Sequence, residues 1–368
     1  MTELQKKCDT TLVEEIPGPV MNKAHWDKRN NNSSGSVSRL PSALGLAITP
    51  AVSVSPETTG PLENLPSTSH LTCLTSLPKG MEHTLLTPIC TPVTVSVLFT
   101  VGAYNVLRPL GSGSFSKVFL AEDTRKYGGL VALKMVELNC DQSIKNLISR
   151  EIQTLKALEH PNVVAFLESF ETETHFVLVL EFVQDGDLFD YVVNNPNEFC
   201  ESKIKKIFRQ LVEAVEYLHS KRICHRDLKL ENVLIQESSD GNISVKITDL
   251  GLAEFVSDNS ILTTRCGSEE YTAPEVILGQ PSNGFKADVW SLGVILYTML
   301  VGFLPFSMDG SQSRRSFFYR IANADYRLPQ DRPISQEAKD LLRSILQSNP
   351  KKRLDVETIK KHPWLNSM

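Results

Sequence analysis

The sequence predicts an α+β fold of two lobes, in which a small antiparallel β-sheet with one helix precedes a larger, mainly helical lobe. Two patterns predict it. Between Tyr104 and Phe182, five segments alternate apolar and polar residues as strands do, and after Glu181 apolar residues recur at helical spacing. The 368 residues, with 41% apolar content, suffice for one large core and an appended segment.

The first lobe is predicted from its strand segments, which read YNVLRPL, KVFLAED, LVALKMV, VAFLESF and HFVLVLEF. Between the third and fourth segments, one face of a helix carries apolar side chains at Ile144, Leu147, Ile148, Ile152, Leu155 and Leu158. A small sheet with one helix packed on it follows from this order.

The second lobe is predicted from two helical segments. One has a single apolar face, formed by Ile204, Ile207, Phe208, Leu211, Val215 and Leu218. The other, VWSLGVILYTMLVG, is apolar all round, which is typical of a helix buried in a core.

Residues 1–103 are predicted to be a disordered Ser/Thr/Pro-rich segment ahead of a domain spanning 104–365. The first hundred residues hold half of the chain's 20 prolines but only two aromatic side chains. Such a stretch buries too little apolar surface to offset the entropy lost on ordering. Its apolar part, Pro88 to Val101, falls short of the roughly 20 residues of a membrane span and is interpreted as a linker entering the first strand.

The charge and cysteine content exclude several classes of protein. A formal net charge of −5 gives no basic surface for nucleic acid or an anionic membrane, so neither partner is expected. The seven cysteines are scattered without zinc-site spacing, which favours a reducing compartment, and the N-terminus lacks a secretory signal. We expect a monomer in the cytoplasm, with the nucleus left open as a second location.

A glycine-rich turn and a strand lysine are the first candidates for phosphate binding. Gly111-Ser-Gly-Ser-Phe-Ser-Lys-Val118 lies between two strand segments, where glycines let backbone N–H groups approach phosphate oxygens. A plain hairpin turn is the alternative. Lys134 follows an apolar strand and could reach phosphates, or could simply extend to solvent. Glu151, on the predicted helix, is its candidate counter-ion or an ordinary solvated carboxylate.

The strongest chemical signal is HRDLKLEN, residues 225–232, followed by Asp249-Leu-Gly251. Transfer of a phosphoryl group needs one carboxylate to orient the attacking hydroxyl and further oxygen ligands to hold magnesium on the nucleotide. Asp227, Asn232 and Asp249 supply those groups.

With these motifs the chain resembles the eukaryotic protein kinase family across 104–365. Its signatures occur in order as GSGSFSKV, VALK, HRDLKLEN, DLG, APE and DVWSLG, and Arg353 completes them. The resemblance implies ATP and Mg²⁺ as cofactors and a bilobal protein kinase fold. Two positions depart from the family pattern, since Ser116 replaces the third glycine and Leu250 replaces a phenylalanine.

The resemblance also implies a role for each matching residue. Lys134, paired with Glu151, would hold the α and β phosphates; Asp227 would be the base and Lys229 would stabilise the transferring group. Asn232 and Asp249 would bind Mg²⁺, Asp288 would anchor the catalytic loop, and Glu275 would pair with Arg353. The implied ATP-binding residues are Leu110, Gly111, Ser112, Gly113, Ser114, Val118, Ala132, Lys134, Glu181, Val183 and Leu234.

Finer features favour a subgroup. Lys229 and Ser268 resemble the serine/threonine branch, and LYTMLVGFLPF resembles the calcium/calmodulin-dependent-kinase-like group with its AMP-activated-kinase-like members and related fungal kinases. The residues after Trp364 hold no basic amphipathic segment, so regulation by calmodulin is not expected.

Regulation and partners are inferred from the same resemblance. Thr264, with Thr263 as the alternative, aligns with an activating threonine that an upstream kinase would phosphorylate, and Arg226 would bind the phosphate. Glu254 is expected to repel that phosphate. The substrates would be proteins, with a preference for upstream arginine read by Asp187 and Glu231.

Two rival functions come from other classes. One is a pseudokinase scaffold that uses the fold only for binding. The other is a docking protein whose functional part is the first hundred residues.

Overall fold

The computed structural model describes residues 96–113, 115–126, 129–195, 199–257, 266–308, 313–330 and 332–366. Residues 1–95 of the N-terminal segment, which is predicted to be disordered, lie outside these ranges. Ser114, Thr263 and Thr264 lie outside it as well.

The first lobe is built on an antiparallel sheet. Its elements are β1 Phe99–Val101, β2 Tyr104–Ser112, β3 Ser116–Asp123, β4 Gly129–Glu137, α1 Gln142–Lys156, β5 Phe166–Glu171 and β6 His175–Glu181. Among the described residues these six strands pair in the order β1-β2-β3-β4-β6-β5. The five predicted strands are all present.

Strand β1 lies in the stretch interpreted as a linker and begins before residue 104. Val101 pairs with Tyr104, and the turn between them contains Gly102 at φ +57°, a left-handed conformation that glycine adopts without steric cost. A strand of three residues is too short to show a clear alternation, which is why the sequence pattern did not predict it.

The predicted helix is α1, but its buried face differs from the expected one. The buried residues of α1 are Ile148, Glu151, Thr154 and Leu155. Leu147, predicted to face the sheet, is 38% exposed, and Leu158 lies beyond the end of the helix. Ile144 in the first turn of α1 packs against the core while Leu147 does not, and the buried part of the helix places Glu151 beside Lys134.

The second lobe is mainly helical. Its helices are α2 Leu188–Asn194, α3 Glu201–Ser220, α4 Pro274–Ile277, α5 Gly284–Val301, α6 Arg314–Ala322, α7 Gln336–Ile345, α8 Val356–Lys360 and α9 Pro363–Asn366. Two short antiparallel strand pairs lie among them, formed by β7 Ile223–Cys224 with β10 Glu254–Phe255 and by β8 Val233–Glu237 with β9 Ile243–Ile247. The predicted bilobal α+β fold is confirmed.

Helices α3 and α5 form the centre of this lobe. All six predicted apolar residues of α3 are buried, and so is nearly the whole of α5. By length and composition α5 could cross a membrane, but 78% of it is buried inside the protein, as in the core helices of globular domains. At Gly293 a Cβ atom would stand 2.5 Å from Ile345, so glycine permits α5 to pack directly on α7.

The expected ion pair between Glu275 and Arg353 is present and fully enclosed. The two guanidinium nitrogens donate to the two carboxylate oxygens at 2.8 and 2.9 Å, and the side chains are 0% and 2% exposed. The guanidinium also donates to the carbonyl oxygens of Lys286 and Gln347 and lies over the ring of Trp290. This cluster joins α4 and α5 to the segment that precedes α8.

We expect Arg353→Met to lower the free energy of unfolding by about 3–5 kcal/mol, because it leaves Glu275 buried without its counter-charge. Chemical denaturation measures this. The matched control is Arg343→Met, which removes a pair with the exposed Asp340 and should cost about 0.5 kcal/mol or less. Equal losses in both variants would contradict the argument, whereas adding Glu275→Leu to Arg353→Met should restore part of the stability.

Candidate active site

The β2–β3 hairpin forms one edge of the cleft between the lobes. The Gly113 N–H donates to the Ser116 carbonyl at 2.8 Å and Gly111 pairs with Val118, while Phe115 at the tip is 63% exposed. A Cβ atom added at Gly111 would meet nothing within 4 Å. The packing of the protein itself therefore does not demand glycine there, whereas the close approach of a ligand's phosphate would.

The predicted base-binding residues form apolar walls on both sides of this cleft. Ala132 and Val183 are buried, and Leu110, Val118 and Leu234 are half-buried against the main core. The segment that joins the lobes is fixed to β8, because the Asp185 N–H donates to Ile235 O and the Ile235 N–H to Gly186 O. An apolar slot beside a fixed hinge backbone suits a planar aromatic base.

Glu181 ends β6 at this hinge. Its carboxylate accepts from Lys246 Nζ at 3.0 Å and from the Ala165 N–H at 3.2 Å. Lys246 lies on β9 of the helical lobe, so the contact joins the two lobes. Lys246 was not predicted as a site residue, because its partner Glu181 lies 65 positions earlier in the chain and no local pattern links the two.

Lys134 lies between two carboxylates. Its Nζ stands 2.6 Å from Glu151 and 3.1 Å from Asp249, and the three side chains are 14%, 7% and 50% exposed. Burial alone would lower the pKa of Lys134, but the negative charges of Glu151 and Asp249 outweigh it and raise that pKa. Burial alone would raise the pKa of Asp249, but the positive charge of Lys134 outweighs burial and lowers that pKa.

Asp249 has a left-handed backbone, with φ 59° and ψ 70°. For a residue other than glycine this costs about 1–3 kcal/mol and is found where a site requires it. Burial of the next side chain, Leu250 at 1% exposure, holds the conformation. A Cβ atom at Gly251 would lie 3.4 Å from the Asp249 carboxylate and 3.5 Å from that of Glu151, which are ordinary van der Waals distances, so Gly251 is directly next to both carboxylates.

Asp227 is held by three neighbours. Its Oδ2 accepts from Lys229 Nζ at 2.8 Å and from Asn232 Nδ2 at 3.2 Å, and its Oδ1 accepts from the Ser268 N–H at 2.9 Å. Lys229 also donates to Ser268 Oγ at 3.0 Å. Burial would lower the pKa of Lys229, but Asp227 outweighs it and the pKa is raised. At neutral pH the site thus holds a cation directly beside an oriented carboxylate.

Asp288, which is 1% exposed, holds the backbone at the start of the catalytic loop, residues 225–232. Its carboxylate accepts from the backbone N–H groups of His225 and Arg226, both at 2.9 Å, and lies 2.9 Å from His219 Nε2. The His225 ring in turn contacts Thr248 O at 3.1 Å, next to Asp249. These contacts fix Asp227 and Asp249 relative to each other, and the sequence argument did not foresee those of His219 and His225.

A family model described as "Protein kinase domain" matches residues 104–365. The chain belongs to the protein kinase family. Among curated proteins it is 40% identical over 269 residues to Sucrose non-fermenting protein kinase 1 of Fusarium virguliforme, covering 73% of this chain and 37% of that protein. It is 40% identical over 269 residues to CBL-interacting protein kinase 1 of Oryza sativa subsp. japonica, covering 72% and 56%.

A third relative is Serine/threonine-protein kinase SIK1 of Rattus norvegicus, at 38% identity over 268 residues, covering 73% of this chain and 33% of the relative. The matched region thus spans between a third and somewhat over half of the length of these three relatives. The predicted membership of the protein kinase family, in its calcium/calmodulin-dependent and AMP-activated-kinase-like group, is confirmed.

The residues of this kinase domain fit a magnesium nucleotide. The Asn232 side-chain nitrogen donates to Asp227 O at 2.8 Å, which leaves the amide oxygen as a ligand atom, and the carboxylate of Asp249 is half exposed. Within the described ranges no group of three or more His, Cys, Asp or Glu side chains could hold a metal. Two oxygen ligands suit a magnesium ion that takes its others from water and phosphate.

The regulatory residues of this kinase domain are placed only in part. Arg226 is next to the catalytic cluster, and its guanidinium contacts Glu254. Thr263 and Thr264, like Ser114 of the glycine hairpin, lie outside the described residues. Of the other predicted residues, Lys134, Glu151 and Asp249 are joined by ion pairs, and Asp227, Lys229 and Asn232 by hydrogen bonds.

Proposed function

We propose that this protein is a serine/threonine protein kinase that transfers the γ-phosphate of ATP to hydroxyl groups of proteins. One observation carries the proposal: Lys134, Glu151, Asp227, Lys229, Asn232 and Asp249 lie in one cleft with the pairings that the chemistry requires. A pseudokinase scaffold has no use for the complete set.

The reaction would use these groups in distinct ways. Asp227 accepts the proton of the acceptor hydroxyl as its oxygen bonds to the γ-phosphorus, and the bond from that phosphorus to the ADP oxygen breaks. Lys229, 2.8 Å from Asp227, stabilises the charge on the transferring group. Lys134 holds the α and β phosphates, oriented by Glu151. Mg²⁺, held by Asn232 and Asp249, would neutralise phosphate charge.

The contacts of Lys229 support assignment to the serine/threonine branch of the family. It links Asp227 with Ser268, and Ser268 also donates to Asp227 through its N–H and, at 3.1 Å, its hydroxyl. This bridge positions the residues after 265 beside the base, where the acceptor segment of a substrate would bind. It supports serine and threonine as acceptors.

A preference for arginine upstream of the acceptor is the finer part of the proposal. Asp187 and Glu231 are the acidic residues that would read it. One oxygen of Asp187 caps α2 by accepting from the Asp190 N–H at 2.8 Å, and Glu231 lies 3.5 Å from the Tyr271 hydroxyl. Both side chains are carboxylates, the groups with which a guanidinium forms charge-assisted hydrogen bonds.

A monomer acting in the cytoplasm, with the nucleus left open as a second location and an upstream kinase acting on Thr264, completes the proposal. It is supported by the negative net charge and the scattered cysteines.

The test is a degenerate peptide array with the purified full chain, labelled ATP and magnesium. We expect label on serine and threonine and not on tyrosine, with arginine favoured three positions before the acceptor. Replacement of Asp187 by asparagine should weaken that preference, and Asp340→Asn on the exposed face of α7 is the control.

The kinase activity and the preference for arginine can be disproved separately. Nucleotide binding without transfer to any peptide would favour the scaffold. Transfer in which proline after the acceptor outweighs upstream arginine would remove the preference but leave the activity.

A further inference from the structure

Arg226 lies directly before Asp227, and its guanidinium contacts the carboxylate of Glu254. The two side chains are 10% and 33% exposed. The backbone of Arg226 is left-handed at φ 69°, and its N–H donates to Asp288 at 2.9 Å. Both the backbone and the side chain of Arg226 are thus fixed, and Asp227 is fixed with them.

Strand pairing brings Glu254 to this place. The antiparallel pair of β7 and β10 sets Glu254 opposite Cys224, two residues before Arg226. Past the strand, the Val256 N–H donates to Arg222 O at 2.8 Å. The position of Glu254 is therefore determined by the backbone on both sides of it, and its carboxylate meets Arg226 without any further ordering of the chain.

The same guanidinium also holds the chain that returns to the active site after residue 265. Burial raises the pKa of the Cys266 thiol, and the nearby Arg226 guanidinium opposes that rise. At Gly267, with φ 89°, a Cβ atom would stand 2.5 Å from Arg226 O, so the two backbones are in close contact. Ser268 then donates its N–H to Asp227 at 2.9 Å. Arg226 therefore joins Glu254, the catalytic loop and the substrate-side residues 266–268.

A guanidinium buried to this degree needs a counter-charge. Glu254 supplies one from within the chain. A phosphate on Thr264 would bind Arg226 through the same donors and would have to compete with the carboxylate for them. From the sequence, Glu254 was expected to repel such a phosphate, whereas in the structure its carboxylate directly contacts the arginine.

We propose that Glu254 is a positioning residue for catalysis, whose carboxylate holds Arg226, and through it Asp227, in the active arrangement, so that activity does not require a phosphate on Thr264. The inference rests on the proposed kinase function. In this arrangement the carboxylate of Glu254 supplies the negative charge beside Arg226 that a phosphorylated threonine would otherwise supply.

The test compares kcat and KM of phosphatase-treated wild type, Glu254→Gln, Glu254→Asp and Thr264→Ala on one peptide substrate. Intact mass confirms that phosphate is absent. Glu254→Gln should lower kcat about 10- to 100-fold, as loss of a charge-assisted bond predicts, with KM for ATP unchanged. Glu254→Asp keeps the charge and should retain most of the activity. Thr264→Ala should match wild type.

The control is Glu216→Gln, because Glu216 is 31% exposed and pairs with Lys360 on α8. It should leave kcat unchanged. In an Arg226→Met background, Glu254→Gln should cause no further loss, since the two residues then act through one contact.

Four results distinguish failure of the inference from failure of the proposed function. Unchanged kcat in Glu254→Gln would overturn the inference, and so would loss of activity in Thr264→Ala, an outcome that does not depend on how well any Glu254 variant folds. If unmodified wild type transfers no phosphate to any peptide while a phosphorylated sample does, the inference alone fails. If neither sample transfers phosphate, the proposed function fails.

Discussion

Asp227→Asn is expected to lower kcat by about 10²–10⁴-fold, the usual contribution of a positioned acid or base. The variant keeps the size and most hydrogen bonds of the side chain but removes the carboxylate that accepts the proton of the substrate hydroxyl. Because Asp227 contacts Lys229, Asn232 and Ser268 and none of the residues predicted to hold the nucleotide base, KM for ATP should stay nearly unchanged.

Steady-state kinetics with both substrates varied measures this separation. Asp340→Asn, on the exposed face of α7, is the control and should match wild type. A variant with normal kcat and a greatly raised KM for ATP would place Asp227 in nucleotide binding and remove it as the base.

Asp249→Asn should lower kcat by about 10²–10³-fold, because it removes a negative ligand aimed at the metal and the phosphates. The free energy of unfolding should change by about 1 kcal/mol or less, since Asp249 is half exposed and Lys134 keeps its closer partner, Glu151. Activity and chemical denaturation are measured on the same preparation.

The matched control is Asp185→Asn. Asp185 accepts from the Glu237 N–H at the hinge and lies outside the Lys134 cluster, so this variant should keep its rate. Activity of Asp249→Asn within tenfold of wild type at saturating magnesium and ATP would remove Asp249 from the site.

The features of this protein that could be predicted from the sequence are those formed by residues close together in the chain. HRDLKLEN places Asp227, Lys229 and Asn232 within six positions, and one short loop brings them together. The apolar face of α3 was predictable because every member is buried at regular helical spacing. The fold class followed from the order of such segments.

The parts that were missed depend on pairings between distant residues. Lys246 meets Glu181 across the two lobes, and no local pattern marks either residue as a partner of the other. Glu254 was noticed as an unusual carboxylate, but the strand pair that sets it against Arg226 is only two residues long. Leu147 was predicted to be buried because periodicity identifies a face of a helix and not how far along it the burial extends.

The ion pair between Lys246 and Glu181 gives the hinge a mechanical property. A plain linker would let the two lobes slide, twist and separate independently. With a lysine of β9 tied at 3.0 Å to the last residue of β6, the ion pair resists separation of the lobes at the hinge. A relative movement of the lobes that keeps this contact would displace the distant glycine hairpin more than the apolar slot beside the hinge.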